Sequence, residues 1–496
     1  MRKGVEMNQY QKDQLITTLE QLRHCHESYH SQRSADIDYY QILSSWQQAA
    51  IGLGTRIEML EGENTLPVRI LEEYCEVLYQ YSLKIQETNE YTTQMKEHMN
   101  DILLKAEKEI LNIETKIEIV FLPYNASMWD SLESIWKAAY SDLECSCRVI
   151  PIPYFDKDSE GNFISMHYEG DDIPKYVPII HYDEYDITEN KPDVIYIHNP
   201  YDNYNFVTSV HPSYYSSELK KHTKLLVYVP YFILGDTLPS HLAEAIGVFH
   251  ADRVITQSES INTAYKKSYI EVLGGEEKEK EKKSGIVNQR YWDTLDKITE
   301  DKFLPLGSPK IDKVIYHIQH RPDVPKEWSD IICKRTKRHP KEDISDIKLI
   351  LYNTAITDLL TYKNVAINKL KSVLNEFKDR TDAILIWRPH PLNVNTIKSM
   401  TPHLLEKYLN LVEEFCQEKY GIYDDSADLH RAIALADAYY GDAHSSLVEL
   451  FGVTGKPIMF QNMDITDYPS VEEMYSIGFE DFVEDGDFIW LDRKST

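Results

Sequence analysis

No stretch of this chain approaches eighteen uninterrupted apolar residues, so no membrane-spanning helix is expected. Basic charge is also short. Lys and Arg number 53 against 81 Asp and Glu, for a formal net charge of −28. That balance argues against a nucleic-acid binder and against an electrostatic anchor on anionic lipid. Cysteine is scarce and scattered: Cys25, Cys75, Cys145, Cys147, Cys333 and Cys416 include one close pair, a C-x-C. Such spacing fits neither a zinc knuckle nor a disulfide framework, and a reduced cytosol is the simplest setting. The opening residues, MRKGVEMNQYQKDQ, lack an apolar core, so no secretory leader is expected. Tyrosine, by contrast, is plentiful at 35 residues. Sugar- and base-binding clefts use such rings, as do the surfaces of acidic soluble proteins. A length of 496 residues calls for two domains or more.

The stretch that organises the chain is Ala436–Glu449, ADAYYGDAHSSLVE. An apolar run ends in Gly441-Asp442-Ala443-His444, and Ser445-Ser446 then opens the helical pattern LVELFGV. A strand that stops at a small polar turn and feeds a helix turns free backbone N–H groups outward, and serine hydroxyls add donors. About fifty residues upstream a second apolar run, Ala383–Trp387, ends in Arg388-Pro389-His390-Pro391. It supplies a guanidinium and an imidazole, both suited to phosphate oxygens. If the two strands are neighbours in a parallel sheet, their tips meet at its carboxyl edge, where such sheets bind ligands. A phosphate-bearing ligand, in particular a nucleotide, is expected there. Each piece alone is equally well read as a helix cap or a Pro-bounded loop.

Residues 7 to about 112 carry apolar side chains at helical spacing and predict a two- or three-helix antiparallel bundle or coiled coil, for oligomerisation or docking. His24-Cys25-His26 cannot chelate one metal, because adjacent helical positions diverge by about 100°. From Ile117 onward strands alternate with helices: IEIVFLPY, the helix 127–142, CRVIPIPYF, DVIYIHNPYD, KLLVYVPYF and DRVITQSE. That alternation implies a parallel, doubly wound sheet. Residues 154–192 form a Tyr- and Asp-rich insertion, and insertions of that length are functional or linkers. Glu276–Lys283, EEKEKEKK, reads as a solvated loop tip. A second α/β series follows, ending in an acidic, aromatic tail.

These motifs resemble the CDP-glycerol glycerophosphotransferase family, the teichoic-acid polymerases and primases of GT-B fold. The matching stations are LGSPKIDKV, LILYNTAITD, RPHP, the DAHSS turn and KPIMF, between about residues 300 and 465. The resemblance implies an α/β, GT-B-like fold of two Rossmann-like domains facing a cleft; the N-terminal helical bundle or coiled coil that precedes them lies outside the family's core. The expected boundaries are 1–112 for the helices, 113–298 for an acceptor-side domain and 299–496 for a nucleotide-donor domain.

The implied reaction is transfer of glycerol phosphate, or a related alditol phosphate, from a CDP-activated donor to a hydroxyl acceptor, with CMP leaving. The product would be a bacterial cell-wall polymer of the teichoic-acid kind. The donor's pyrophosphate would lie against Ser445 and Ser446, with Arg388 and His390 facing the same phosphates. His444, Asn353 and Thr354 belong to the same set, Glu449 reaches the ribose, Asp442 caps, and Gly307, Ser308 and Pro309 line the donor side of a hinge. No metal and no cofactor is expected. The implied partners are the CDP-alditol donor and a lipid-linked or polymer acceptor; the charge excludes nucleic acid, and the N-terminal helices suit a second copy of the chain. The implied setting is the cytoplasm, peripheral at the inner face of the plasma membrane.

One family feature is missing. The polymerases carry W-H-G-T-P after an N-domain strand, and its histidine is the family's candidate base. Here LLVYV runs into Pro230-Tyr231-Phe232. His198 in HNPYD, with Asp202 to orient it, is the replacement candidate for the catalytic base, and His211 a second. The alternatives are a GT-B glycosyltransferase or epimerase-like enzyme using another nucleotide sugar, or a catalytically silent nucleotide- or polymer-binding scaffold.

Overall fold

The computed structural model describes residues 7–30, 39–88, 90–158, 160–235, 237–339, 346–426, 428–443 and 445–461. His444 and the acidic, aromatic tail lie outside the described residues. The fold is mixed α/β: a helical N-terminal region and parallel sheets that divide between two compact units. One unit takes the chain to Asn125, Ile135–Tyr228 and Ala245–Val254; the other takes Ala126–Ser134, Val229–Glu244 and the chain from Ile255.

Among the described residues the helical region has four helices rather than two or three: α1 (Gln9–His30), α2 (Tyr39–Glu61), α3 (Leu66–Thr88) and α4 (Thr93–Leu111). The helical pattern after Val68 divides into two helices because Thr92 accepts from the Met95 N–H and starts a new one. Leu19, Trp46, Leu71, Tyr74, Met99 and Leu103 close one core. His26 lies inside it, fully buried. Its Nδ1–H donates to Asn100 Oδ1 at 2.6 Å, and the Tyr74 hydroxyl donates to its Nε2 at 2.7 Å. Both ring nitrogens are therefore engaged in the core. Asn8 donates to the buried carboxylate of Glu118 at 2.7 Å, joining the first helix to the strand that follows the bundle.

That strand is β1 (Ile117–Leu122), followed by β2 (Cys145–Val149). CRVIPIPYF is two strands, not one, because the prolines separate β2 from β3 (Tyr154–Lys157). The helix expected over 127–142 is a 3₁₀ segment, Ala126–Ser131, leading into the helix Glu133–Ser141. Within the insertion, β3 and β4 (Phe163–His167) form an antiparallel hairpin. After β5 (Val194–Ile197), β6 (Thr208–Val210) adds to that hairpin in the order β4-β3-β6. With β7 (Leu225–Tyr228) and β8 (Arg253–Ile255), the parallel sheet of this unit runs β2-β1-β5-β7-β8. The sequence EEKEKEKK is helical, not a loop tip: it is the end of one helix, Glu259–Ser284. Lys280 and Lys282 pair with Glu277 and Glu279 at i,i+3, and Trp292 packs where Gly274 leaves room.

In the second unit, after β9 (Phe303–Leu304), a five-stranded parallel sheet contains β10 (Lys348–Thr354), β11 (Ala383–Pro389), β12 (Ile422–Tyr423), β13 (Ala438–Gly441) and β14 (Ile458–Phe460). Their order is β12-β11-β10-β13-β14. Alternate residues serve opposite cores. Leu349, Leu351, Ile384 and Ile386 face the helices bearing Ile332, Ile433 and Phe451. Tyr352, Leu385 and Trp387 face those bearing Leu370, Ile397 and Phe415. A sheet covered on both faces reads as unbroken apolar runs, which is why these strands stand out in the sequence.

Candidate functional site

The chain leaves β10 toward β11 and β12, then returns to its other side for β13 and β14. The carboxyl ends of β10 and β13 therefore flank a topological switch point, where open α/β sheets bind ligands. The two tips singled out by sequence are not direct neighbours: β10 lies between them, with Asn353 level with Arg388 on one side and Gly441 on the other. Strand order cannot be read from chain order, and the consequence is that Asn353 and Thr354 take the centre.

Asn353 Nδ2 donates to Ser445 Oγ at 2.8 Å and to the Tyr439 hydroxyl at 3.2 Å. Tyr439 in turn donates to the Asp442 carbonyl at 2.6 Å. The turn after β13 is thus tied to the end of β10 by buried polar groups. Gly441 is required there: its φ is +140°, and a Cβ would stand 2.2 Å from the Asn353 carbonyl oxygen. On the other side the Thr354 carbonyl accepts the His390 N–H at 3.0 Å and the Asn393 side chain at 3.2 Å. The Leu392 N–H donates to His390 Nδ1 at 3.2 Å, so the neutral ring carries its proton on Nε2. The imidazole reaches solvent on one side. Partial enclosure lowers its pKa from the ordinary value, and the charge of buried Asp442 pulls the other way.

Arg388 also reaches this edge, but its guanidinium is tied back: Nη1 pairs with Asp424 at 2.5 Å and Nη2 donates to the Ser426 carbonyl at 2.7 Å. Ser446 is the exposed first residue of the helix Ser446–Gly452. Glu449, one turn on, lies against the bare backbone of Gly235, where a Cβ would come within 3.1 Å of its Oε1. Gly307, Ser308 and Pro309 start the helix Pro309–Gln319. There Gly307 and Ser308 line a narrow cleft with Val229, Pro230, Thr256 and Gln257. Lys456, of KPIMF, donates to the carbonyls of Ala434 and Ala436 at 2.9 and 2.5 Å and caps the helix Leu429–Leu435.

In the other unit His198 follows β5 and is fully buried, with its Nε2 accepting the Tyr124 N–H at 3.1 Å. Asp202 receives the Ser216 N–H on Oδ1 at 2.8 Å and the Ser216 hydroxyl on Oδ2 at 2.7 Å, and His250 stands 3.9 Å away. The pairing inferred from sequence, Asp202 orienting a reactive His198, thus meets two side chains bound elsewhere: one fixes the end of β1, the other caps the segment at Ser216. His211 caps the next turn through Ser213.

Sequence reasoning missed a buried ionic cluster in the second unit. Lys310 Nζ lies 2.6 and 2.7 Å from the two oxygens of Asp130, and His430 Nε2 lies 2.7 Å from Asp130 Oδ2. Burial pushes the Asp130 carboxyl up, but Lys310 and His430 outweigh it and hold it well below the usual carboxylate range. Lys310 sits inside LGSPKIDKV, so its position was visible. Its partners, 180 residues before it in one case, were not.

No family model matches the chain, and no curated protein does. Among solved structures, the wall teichoic acid polymerase TagF is 14% identical, over 74% of this chain and 78% of that one, with a TM-score of 0.37. UDP-GlcNAc 2-epimerase from Methanocaldococcus jannaschii is 10% identical, over 76% and 95%, at 0.40. S. aureus MnaA, in a structure with UDP, is 12% identical over 70% and 79%, at 0.37. Identities and scores this low carry no assignment of function.

Proposed function

We propose that the carboxyl edge between β10 and β13 binds the diphosphate of a nucleotide-activated donor, and that the protein transfers an alditol phosphate from it. The observation that carries this reading is the strand order β12-β11-β10-β13-β14, with Asn353, His390, Asp442 and Ser445 on the tips at its point of reversal. A diphosphate needs hydrogen-bond donors and one group whose charge can follow its own. Ser445, Ser446 and the N–H groups beside them are the donors, and His390 is the titrating group. Arg388 contributes as a positioning residue, holding Asp424 and Ser426 beside the edge. Glu449 is the group for ribose hydroxyls, and Gly307, Ser308 and Pro309 are the residues that the resemblance assigns to the donor side.

The resemblance to CDP-glycerol glycerophosphotransferases supports cytidine as the base and glycerol phosphate as the cargo. The acceptor oxygen then bonds to the cargo phosphorus, the phosphoanhydride bond breaks, and CMP leaves with the electron pair. The acceptor's proton passes to a base or to water. Stabilising the charge that builds on the leaving phosphate is what the donor edge contributes to such a reaction. The engagement of His198 by Tyr124 favours one second reading, a nucleotide-binding protein without transfer chemistry.

Chromatography of CDP-glycerol incubated with the protein and hydroxyl acceptors tests the proposal. CMP should accumulate with the native chain and fall at least tenfold with Ser445→Ala/Ser446→Ala. Undiminished CMP release from that variant, or none from the native chain, counts against transfer at this edge.

A further inference from the structure

The insertion between β2 and β5 builds a second polar constellation that no part of the donor site uses. Register puts Tyr154 opposite His167, and Asp156 opposite Ser165, so all four share one face of the β4-β3-β6 sheet. His167 Nε2–H donates to Asp156 Oδ2 at 2.7 Å, and the Ser165 hydroxyl donates to the same oxygen at 2.9 Å. In the neutral ring that bond fixes the tautomer and leaves a lone pair on Nδ1. The ring plane is fixed too, by stacking on Tyr154 at 5.0 Å and 22°. Tyr154 donates to Glu169 Oε1 at 2.5 Å, and Asn125 donates to the same oxygen at 3.2 Å.

Tyr124 connects this face to the parallel sheet. Its ring meets Tyr154 edge-on at 5.5 Å and His198 at 5.2 Å. Tyr124 and His198 follow β1 and β5, which are paired neighbours. In the order β2-β1-β5-β7-β8 those two strands flank the point where the chain changes direction. The constellation thus stands at the carboxyl end of a switch point, where a ligand is expected. It is also open to solvent: the side chains of His167 and Asp156 are 41% and 39% exposed.

The chemistry of the face selects the ligand. Aromatic rings accept the C–H faces of a sugar or alditol, while an imidazole lone pair and carboxylates accept its hydroxyls. Asp156, Glu169, Asp171 and Asp172 make the surroundings acidic; of the lysines nearby, Lys157 is bound to the carbonyls of Asn203 and Asn205, and Lys175 to the carbonyl of Asp171. An anionic ligand would be repelled. We propose that the face formed by Tyr154, Asp156, His167 and Glu169, with Tyr124 behind it, binds a neutral polyhydroxylated ligand, a saccharide or an alditol. As the hydroxyl-bearing partner of a transfer it rests on the function proposed above; as a binding site it stands without it.

Saturation-transfer NMR on the full chain, with N-acetylglucosamine, ribitol and glycerol 3-phosphate as probes, tests this. The neutral probes should bind with Kd on the order of 1–10 mM, and glycerol 3-phosphate at least tenfold more weakly. His167→Ala should weaken the neutral probes at least fivefold. Tyr154→Phe, which keeps the ring and drops the bond to Glu169, should weaken them about twofold. Circular dichroism and an unchanged melting temperature establish that each variant is folded. Absence of transfer to both neutral probes, equal transfer in folded His167→Ala, or preference for glycerol 3-phosphate would each overturn the assignment. CDP titrated into the same His167→Ala protein reports on the donor edge alone, so a failure there leaves the polyol result standing.

Discussion

The side-chain amide of Asn353, at the end of β10, donates to the Ser445 hydroxyl beyond β13 at 2.8 Å. One hydrogen bond thus joins two residues that are 92 positions apart in the chain. Around it gather the groups a nucleotide diphosphate requires.

The approach of the two strand ends depends on Gly441. Its φ of +140° and the 2.2 Å that a Cβ would have to the Asn353 carbonyl leave no room for a side chain. Gly441→Ala should therefore cost more than about 3 kcal/mol and lower the melting temperature by several degrees. Gly275→Ala, in mid-helix with open space around it, should instead be neutral or stabilise by roughly 0.5–1 kcal/mol. Differential scanning calorimetry of both variants makes the comparison.

Nucleotide affinity should depend on pH through His390. Enclosure lowers its pKa in the free protein, and a bound diphosphate should raise it, so binding takes up a proton. Affinity should be highest on the acid side, fall as pH rises between the free and bound pKa values, and level off above the latter. His390→Gln should flatten that profile in calorimetric titrations. A native profile that stays flat from pH 5 to 8 would contradict the role of the ring.

Much of this edge was legible in the sequence, because a doubly covered parallel sheet writes each strand as an apolar run and each tip as a polar turn. Leu349–Tyr352, Ala383–Trp387 and Ala438–Gly441 all showed themselves in that way. What chain order cannot convey is which strands touch, so the place of β10 between the other two was missed. Nor does local sequence reveal that Arg388 is bound to Asp424, that Asp202 is bound to Ser216, or that Lys310 reaches Asp130. Each of those pairings is made by the fold between residues far apart or facing inward. EEKEKEKK misled for another reason: its charge run looks like a loop, while its i,i+3 pairs and the packing of Trp292 at Gly274 keep it helical.

The buried pair Lys310–Asp130 should reveal itself when only one partner is removed. Lys310→Met leaves Asp130 with His430 alone in an enclosed site, at a cost of about 3–5 kcal/mol. Asp130→Leu combined with Lys310→Met removes both charges and should restore at least half of that loss. Melting temperatures of the single and double variants decide it; equal destabilisation in both would mean that packing, not charge, holds the cluster.

The helical bundle should lose stability in mild acid. Burial lowers the pKa of His26 from 6.5 to about 4, with the hydrogen bond to Asn100 opposing. Between those values the unfolded chain binds a proton that the folded bundle excludes, so stability is full above pH 6.5 and declines as pH falls toward 4. The total is about 3 kcal/mol. Urea unfolding followed by far-UV circular dichroism at pH 7.5 and pH 4.5 measures it. In His26→Phe, where the titrating ring is gone, the difference between the two pH values should shrink.

The most direct measurement is a calorimetric titration of the protein with CDP, CDP-glycerol, UDP and GDP, repeated with Ser445→Ala/Ser446→Ala and with His390→Ala. The cytidine nucleotides should bind at least tenfold more tightly than the others, and both variants should lose that affinity while keeping the native far-UV circular dichroism. Indifference to all four nucleotides, or cytidine binding that both variants retain, would contradict the proposed site.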